Sequence, residues 1–163
     1  MVKSGFARKG LQRYARSMDN EQAMRESAGQ RLALLKESFA RLTGRPLYQG
    51  DLWSAPVAVV AHNTDDPPRF FYGNRLALEL FRMTAAQFIG LPSYKSAEPA
   101  LRAERAQIFV KLEADDVVTG YTGVRIAADG TRFWIKDAVI WNLVDERGQR
   151  HGQAAAITQW QPV

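Results

Sequence analysis

Beyond residue 120 the hydrophobic pattern stops recurring at helical spacing and begins to alternate residue by residue. Tyr121–Ala127, Arg132–Asn142 and Gly152–Trp160 each read as a strand with one apolar face. Asp129-Gly130 and the Asp145–Gly148 turn region join them. Strands joined by such short turns run antiparallel, and an antiparallel sheet needs cover on its apolar side. The upstream residues have to supply that cover.

They do so with two further strands and several short helices. Val57–His62 is an apolar, β-branched run, Asn63–Pro68 is dense in turn formers, and Arg69–Tyr72 resumes a strand, which predicts a hairpin. Asn74 is placed to cap a helix running through Phe81, with Ala77, Leu80 and Phe81 inward. Thr84 with Gln87 forms a second capping pair, closed by Gly90. Pro99 suits the first turn of a helix over about 99–114 that buries Leu101, Ile108, Phe109 and Leu112.

Ahead of all these, Ala28, Leu32, Leu35, Phe39 and Leu42 recur at steps of four and three within a helix predicted from about 19 to 43. Asp19 and Gln22 stand at its start, and Gly44 and Pro46 at its end. The stripe can lie on the chain's own sheet or seat against a second copy, and two heptads are too few to assert a coiled coil. The expected class is therefore α+β: a five-stranded antiparallel sheet with short helices on one face and an N-terminal amphipathic helix. The expected divisions are a basic tail over 1–16, the helix within 17–45, and the main domain over 53–163.

Charge and composition narrow the function. The net charge of +5 lies wholly in residues 1–16, which hold Lys3, Arg8, Lys9, Arg13 and Arg16 and no acid; the remaining 17 basic residues balance 17 acidic ones. Nucleic acid is accordingly not an expected partner of the folded part. No apolar run approaches the roughly 18 residues of a membrane span. The start also lacks the apolar stretch of a secretory signal, so a cytoplasmic location is expected. The chain contains no cysteine, which removes thiolate metal sites and any cysteine-linked chromophore. With only His62 and His151 as imidazoles, no metal site is expected.

The order helix, two strands, three short helices, three strands is that of a PAS domain. Tyr72-Gly-Asn-Arg-Leu-Ala-Leu-Glu-Leu-Phe81 followed by Phe88-Ile-Gly90 resembles the PAS signature. More specifically, the chain resembles the MEKHLA domain family, which is PAS-like. The segments that carry this are Ala61–Thr64, Leu91–Ser93 with Ser96–Glu98, Tyr121–Arg125, Val139–Leu143 and His151–Ala154. The resemblance implies a noncatalytic sensory or protein-interaction module, a homodimer through Ala28, Leu32, Leu35, Phe39 and Leu42, and an unidentified signalling partner. A PAS flavin adduct or coumarate chromophore requires a thiol that is absent here. Haem held by a histidine of the long helix is disfavoured because Leu101–Asp115 has none. Met83 is read as packing. A noncovalent flavin, another small metabolite or no ligand remains.

Candidate pocket residues are His62, Tyr72, Asn74, Arg125, Asp137, Trp141 and Gln153. His62 ends an apolar strand and either bonds the adjacent turn or donates into a pocket. Arg125 shares a face with Tyr121 and Gly123 and either stacks on Trp134 or pairs with an acidic ligand group. Regular alternation puts Asp137 on one face with Phe133, Ile135, Val139 and Trp141, as a buried carboxylate, unless a bulge turns it outward. Trp141 is first a core residue, and Tyr72 and Asn74 belong first to packing and capping. The alternative function is a small-molecule-converting enzyme in which His62 and Asp137 form an acid–base pair.

Overall fold

The computed structural model of the chain describes residues 19–97 and 102–163. The predicted basic tail, and Pro99 and Leu101 of the predicted third helix, lie outside the described residues. The first helix is α1, residues 19–28, and the second is α2, Arg31–Thr43. The single helix expected over 19–43 is thus broken in two. Gly29 takes φ 55°, its N–H closes on the Arg25 carbonyl at 2.9 Å, and the chain turns before α2 begins. Gly44 stops α2 as expected, with its N–H on the Ala40 carbonyl.

The hairpin follows as β1 (Ala58–His62) and β2 (Phe70–Gly73). Next come α3 (Arg75–Phe81), α4 (Ala85–Phe88), a 3-10 turn (Ser93–Ser96) and α5 (Arg102–Asp115). Both predicted caps form. Asn74 accepts from the Ala77 N–H, and Thr84 and Gln87 make a reciprocal capping box. The last third gives β3 (Val117–Ile126), β4 (Arg132–Val144), β5 (Arg150–Ile157) and β6 (Gln159–Pro162). All pairs are antiparallel in the order β2-β1-β5-β4-β3, and β6 pairs the first half of β4. The expected last strand is therefore two strands interrupted at Thr158, both laid along the long β4.

Both faces of this sheet are covered. On one face α2 packs against β4: Trp141 donates Nε1–H to Ser38 Oγ at 3.1 Å and meets Phe39 edge to face at 4.9 Å. On the other face, Phe81 of α3 meets Phe133 edge to face at 5.3 Å, and α5 lies over β3 and β4. Met24, Ala28, Leu35 and Phe39 belong to the same buried core as the sheet, with Leu32 and Leu42 packed against it. The stripe expected to offer a dimer surface is used within the chain. Where the helical pair passes the edge strand β2, Ser27 Oγ donates to the Phe71 carbonyl at 2.6 Å and Arg31 lies over the Phe71 ring at 3.8 Å. Among the described residues no helix is long and apolar enough to cross a membrane.

Candidate functional site

The face under α3 and α5 encloses a cavity of about 70 Å³. Its floor is the sheet, through Val60, Ala155, Ile140 and Ile135, and its roof is Phe81, Ile108, Phe109 and Leu112. Three sequence-predicted residues line it: His62, Gln153 and Arg125. They stand at its two ends. His62 pairs with Gln153 and Gln153 with Asn142 in one row across β1, β5 and β4. Tyr121, which carries the other end, pairs with Ala138, four residues down β4 or about 13 Å at roughly 3.3 Å per residue.

At the first end the strands come unusually close. A Cβ built on Gly152 would stand 2.0 Å from the His62 carbonyl oxygen, at a φ of 143° that side chains avoid. His62 Nδ1 lies 2.9 Å from the Asn63 carbonyl oxygen and donates to it, which is the bond to the adjacent turn that the sequence offered. Its ring meets Phe109 edge to face at 6.0 Å. Beyond His62 and Gln153 a second, more open groove holds Asn142, 1% exposed. Asn142 Nδ2 donates to the Leu112 carbonyl and to Asp116 Oδ1, both at 2.8 Å, tying the end of α5 to the sheet. Its Oδ1 has no hydrogen-bond partner among the described residues.

At the other end Arg125 is 9% exposed. Its Nη2 donates to the Tyr121 hydroxyl at 3.0 Å, its Nη1 to the Val124 carbonyl at 2.9 Å, and its guanidinium sits over the Tyr121 ring at 5.2 Å. The aromatic partner is Tyr121, a near neighbour on its own strand. Trp134, the partner expected across the hairpin, pairs with Val124 on the opposite face and is exposed.

The other four candidates lie elsewhere. Tyr72 is buried away from the cavity, and burial first, then the Asp51 carboxylate, raises its phenol above the ordinary range. Asn74 is fully buried in structural bonds: besides its cap, it accepts from the Val59 N–H at 3.0 Å and donates to the Leu52 and Val57 carbonyls at 3.0 and 2.7 Å. Trp141 is sealed under α2. Asp137 is exposed in a groove on the α2 face, beside Arg45 and Thr119, with φ 53°.

The reason is a bulge. Tyr121 pairs with Ala138 but Gly123 with Ile135, so β4 holds one extra residue between them. That residue reverses the alternation: Phe133 and Ile135 lie on the cavity side of the sheet, while Val139 and Trp141 face α2. The common face expected for these four residues and Asp137 does not exist, and His62 and Asp137 sit in separate cavities on opposite faces. No acid–base pair is assembled from them. In the sequence Tyr121 stands out only as a neighbour of Arg125; alternation along β3, which puts 121, 123 and 125 on one face, is the signal that it shares the site.

A family model described as the MEKHLA domain matches residues 29–162. Among solved structures the chain is similar to the PAS domain of a protein from Colwellia psychrerythraea, at 16% identity and a TM-score of 0.58 over 80% of this chain and 97% of that one. It is similar to a fungal LOV domain photoreceptor at 16% identity and a TM-score of 0.54, over 79% and 91% of the two chains. It is also similar to the light-state dimer of the fungal blue-light photoreceptor Vivid, at 15% identity and a TM-score of 0.53, over 72% and 88%. At these identities the likeness establishes the PAS fold. No curated protein matches the chain.

Proposed function

The chain belongs to the MEKHLA domain family, and from that membership and its fold we propose that it is a noncatalytic sensory module that takes a small noncovalent ligand and signals through contacts with a second copy or a partner protein. The observation that carries this reading is the cavity between the sheet and α5, with mostly apolar walls and a few inward polar groups at its ends. Its 70 Å³ is far below the roughly 300–1,000 Å³ of sites for drug-sized molecules and cofactors, which favours a small metabolite over a flavin. One solved neighbour is described by a flavin analogue in a light-oxygen-voltage domain. This chain has no cysteine for a thiol adduct, so any ligand is held without a covalent bond to sulfur.

Association is the expected output. Vivid is described as a light-state dimer, and a homodimer is proposed here as well. Its surface is not the stripe of α2, which the chain's own core occupies.

Native followed by denaturing mass spectrometry of freshly purified protein tests both parts. The expected result is an extra mass in the native spectrum that disappears on denaturation, together with a dimer species. A bare chain, monomeric at every concentration, would sink the reading.

A further inference from the structure

Resting on the reading of the cavity as a ligand site, we propose that it selects a small organic anion, a monocarboxylate with an apolar body, and that Arg125 and Tyr121 form its head-group site.

A guanidinium always carries its proton, and a buried one needs a counter-charge to offset its lost hydration. Arg125 lines the cavity at 9% exposure, and among the described residues no carboxylate comes within 4.0 Å of it. The acids nearest in the sequence are engaged elsewhere: Asp129 with Arg82, and Asp116 with Arg150 and Asn142. Among the described residues Arg125 has a phenol oxygen and its own strand's carbonyl as its only acceptors, which uses two of its five N–H donors.

The Tyr121 oxygen accepts from Arg125, and among the described residues its own O–H donates to no group. Both residues therefore offer donors into one end of a cavity whose walls are mostly apolar, with His62 and Gln153 at its far end. Gly123 makes this arrangement possible. A Cβ there would lie 2.5 Å from the Tyr121 oxygen, so only a residue without a side chain lets the phenol lie along β3 to meet Arg125. A planar fork beside a hydroxyl donor matches the two oxygens of a carboxylate. The walls of Phe81, Ile108, Leu112 and Ile135 suit an aliphatic body, and Arg125 is the one fixed cation among the described residues that line the cavity.

The test is calorimetric titration of the full chain with straight-chain carboxylates from butyrate to octanoate, the matching primary alcohols, and inorganic phosphate. The expected result is at least tenfold tighter binding of a carboxylate than of its alcohol. Arg125→Met should erase that difference while the ligand-free variant melts no lower than the parent, because an uncompensated buried charge has been removed. Gly123→Ala should weaken carboxylate binding severalfold by displacing the hydroxyl, with both head-group residues still present.

The proposal is overturned if alcohols bind as tightly as acids, if phosphate matches the carboxylates, or if none of these probes binds. A melting point for Arg125→Met well below the parent's also overturns it, since Arg125 is then a structural residue. Any of these outcomes leaves the broader ligand reading to the native mass spectrum, which detects a bound molecule whatever its charge.

Discussion

Truncating Asn74 to alanine removes four hydrogen bonds from the centre of the chain. The side chain caps α3, receives the Val59 N–H and donates to two carbonyls of the linker before β1. A lost cap costs about 1 kcal/mol, and each buried backbone group left unpaired costs about 1–3 kcal/mol more. Asn74→Ala should therefore lower stability by about 3 kcal/mol or more in urea denaturation, whereas Thr84→Ala, which removes only the capping box of the exposed α4 start, should cost about 1 kcal/mol. Equal losses would reduce Asn74 to a simple cap. The cap itself was legible in the sequence because it is chemistry between residues three apart. The other three bonds were not, because they depend on which distant backbone the fold brings to the same carboxamide.

The same division separates the elements that could be read from those that could not. The hairpin, α3, α4 and the turns of the last third carry local signals, namely Asn63–Pro68, two caps and Asp129-Gly130, and each forms where those signals stand. The break at Gly29 had a signal too, an isolated glycine inside a helical stripe, but apolar spacing alone runs straight through it. Because α2 lays Leu35 into the core at 0% exposure, Leu35→Glu buries an unpaired charge. It should abolish cooperative unfolding, with far-UV circular dichroism losing sheet and helix together. A folded monomer would instead return this stripe to the role of a dimer surface. At the opposite end of the sheet, Asp129 ties the β3–β4 turn to Thr131 and, across to the end of α3, to Arg82. Bonding to Thr131 first, and the Arg82 charge after it, bring its carboxyl down from 3.8 to about 2. A lowered folded value means that this contribution is fully present above the ordinary carboxylate pKa and is lost as pH falls through about 2. Asp129→Asn should thus flatten the fall in denaturation midpoint between pH 4 and pH 2, and an unchanged slope would remove the turn from the acid response.

For the whole molecule, one core runs through the sheet from α1 and α2 to α3 and α4. The main domain expected over 53–163 lacks Met24, Leu35 and Phe39, all three of them buried members of that core. A fragment of residues 46–163 should lose its cooperative thermal transition or melt more than about 10 °C below the full chain, at about 4–8 °C per kcal/mol for small domains. Equal melting would make the helical pair an appendage. Element order and sheet class were readable because periodicity reports them directly. The cavity's membership was only half readable, because it depends on which side each strand turns, and one added residue in β4 decides that for Phe133, Ile135, Val139 and Trp141. That residue makes β4 two half-strands in opposite phase. Lys136, within the added stretch, is only partly buried, yet removing the position would turn the first half of the strand inside out. The spacing between Ile135 and Ala138, more than the identity of what fills it, therefore keeps the two faces of the sheet distinct.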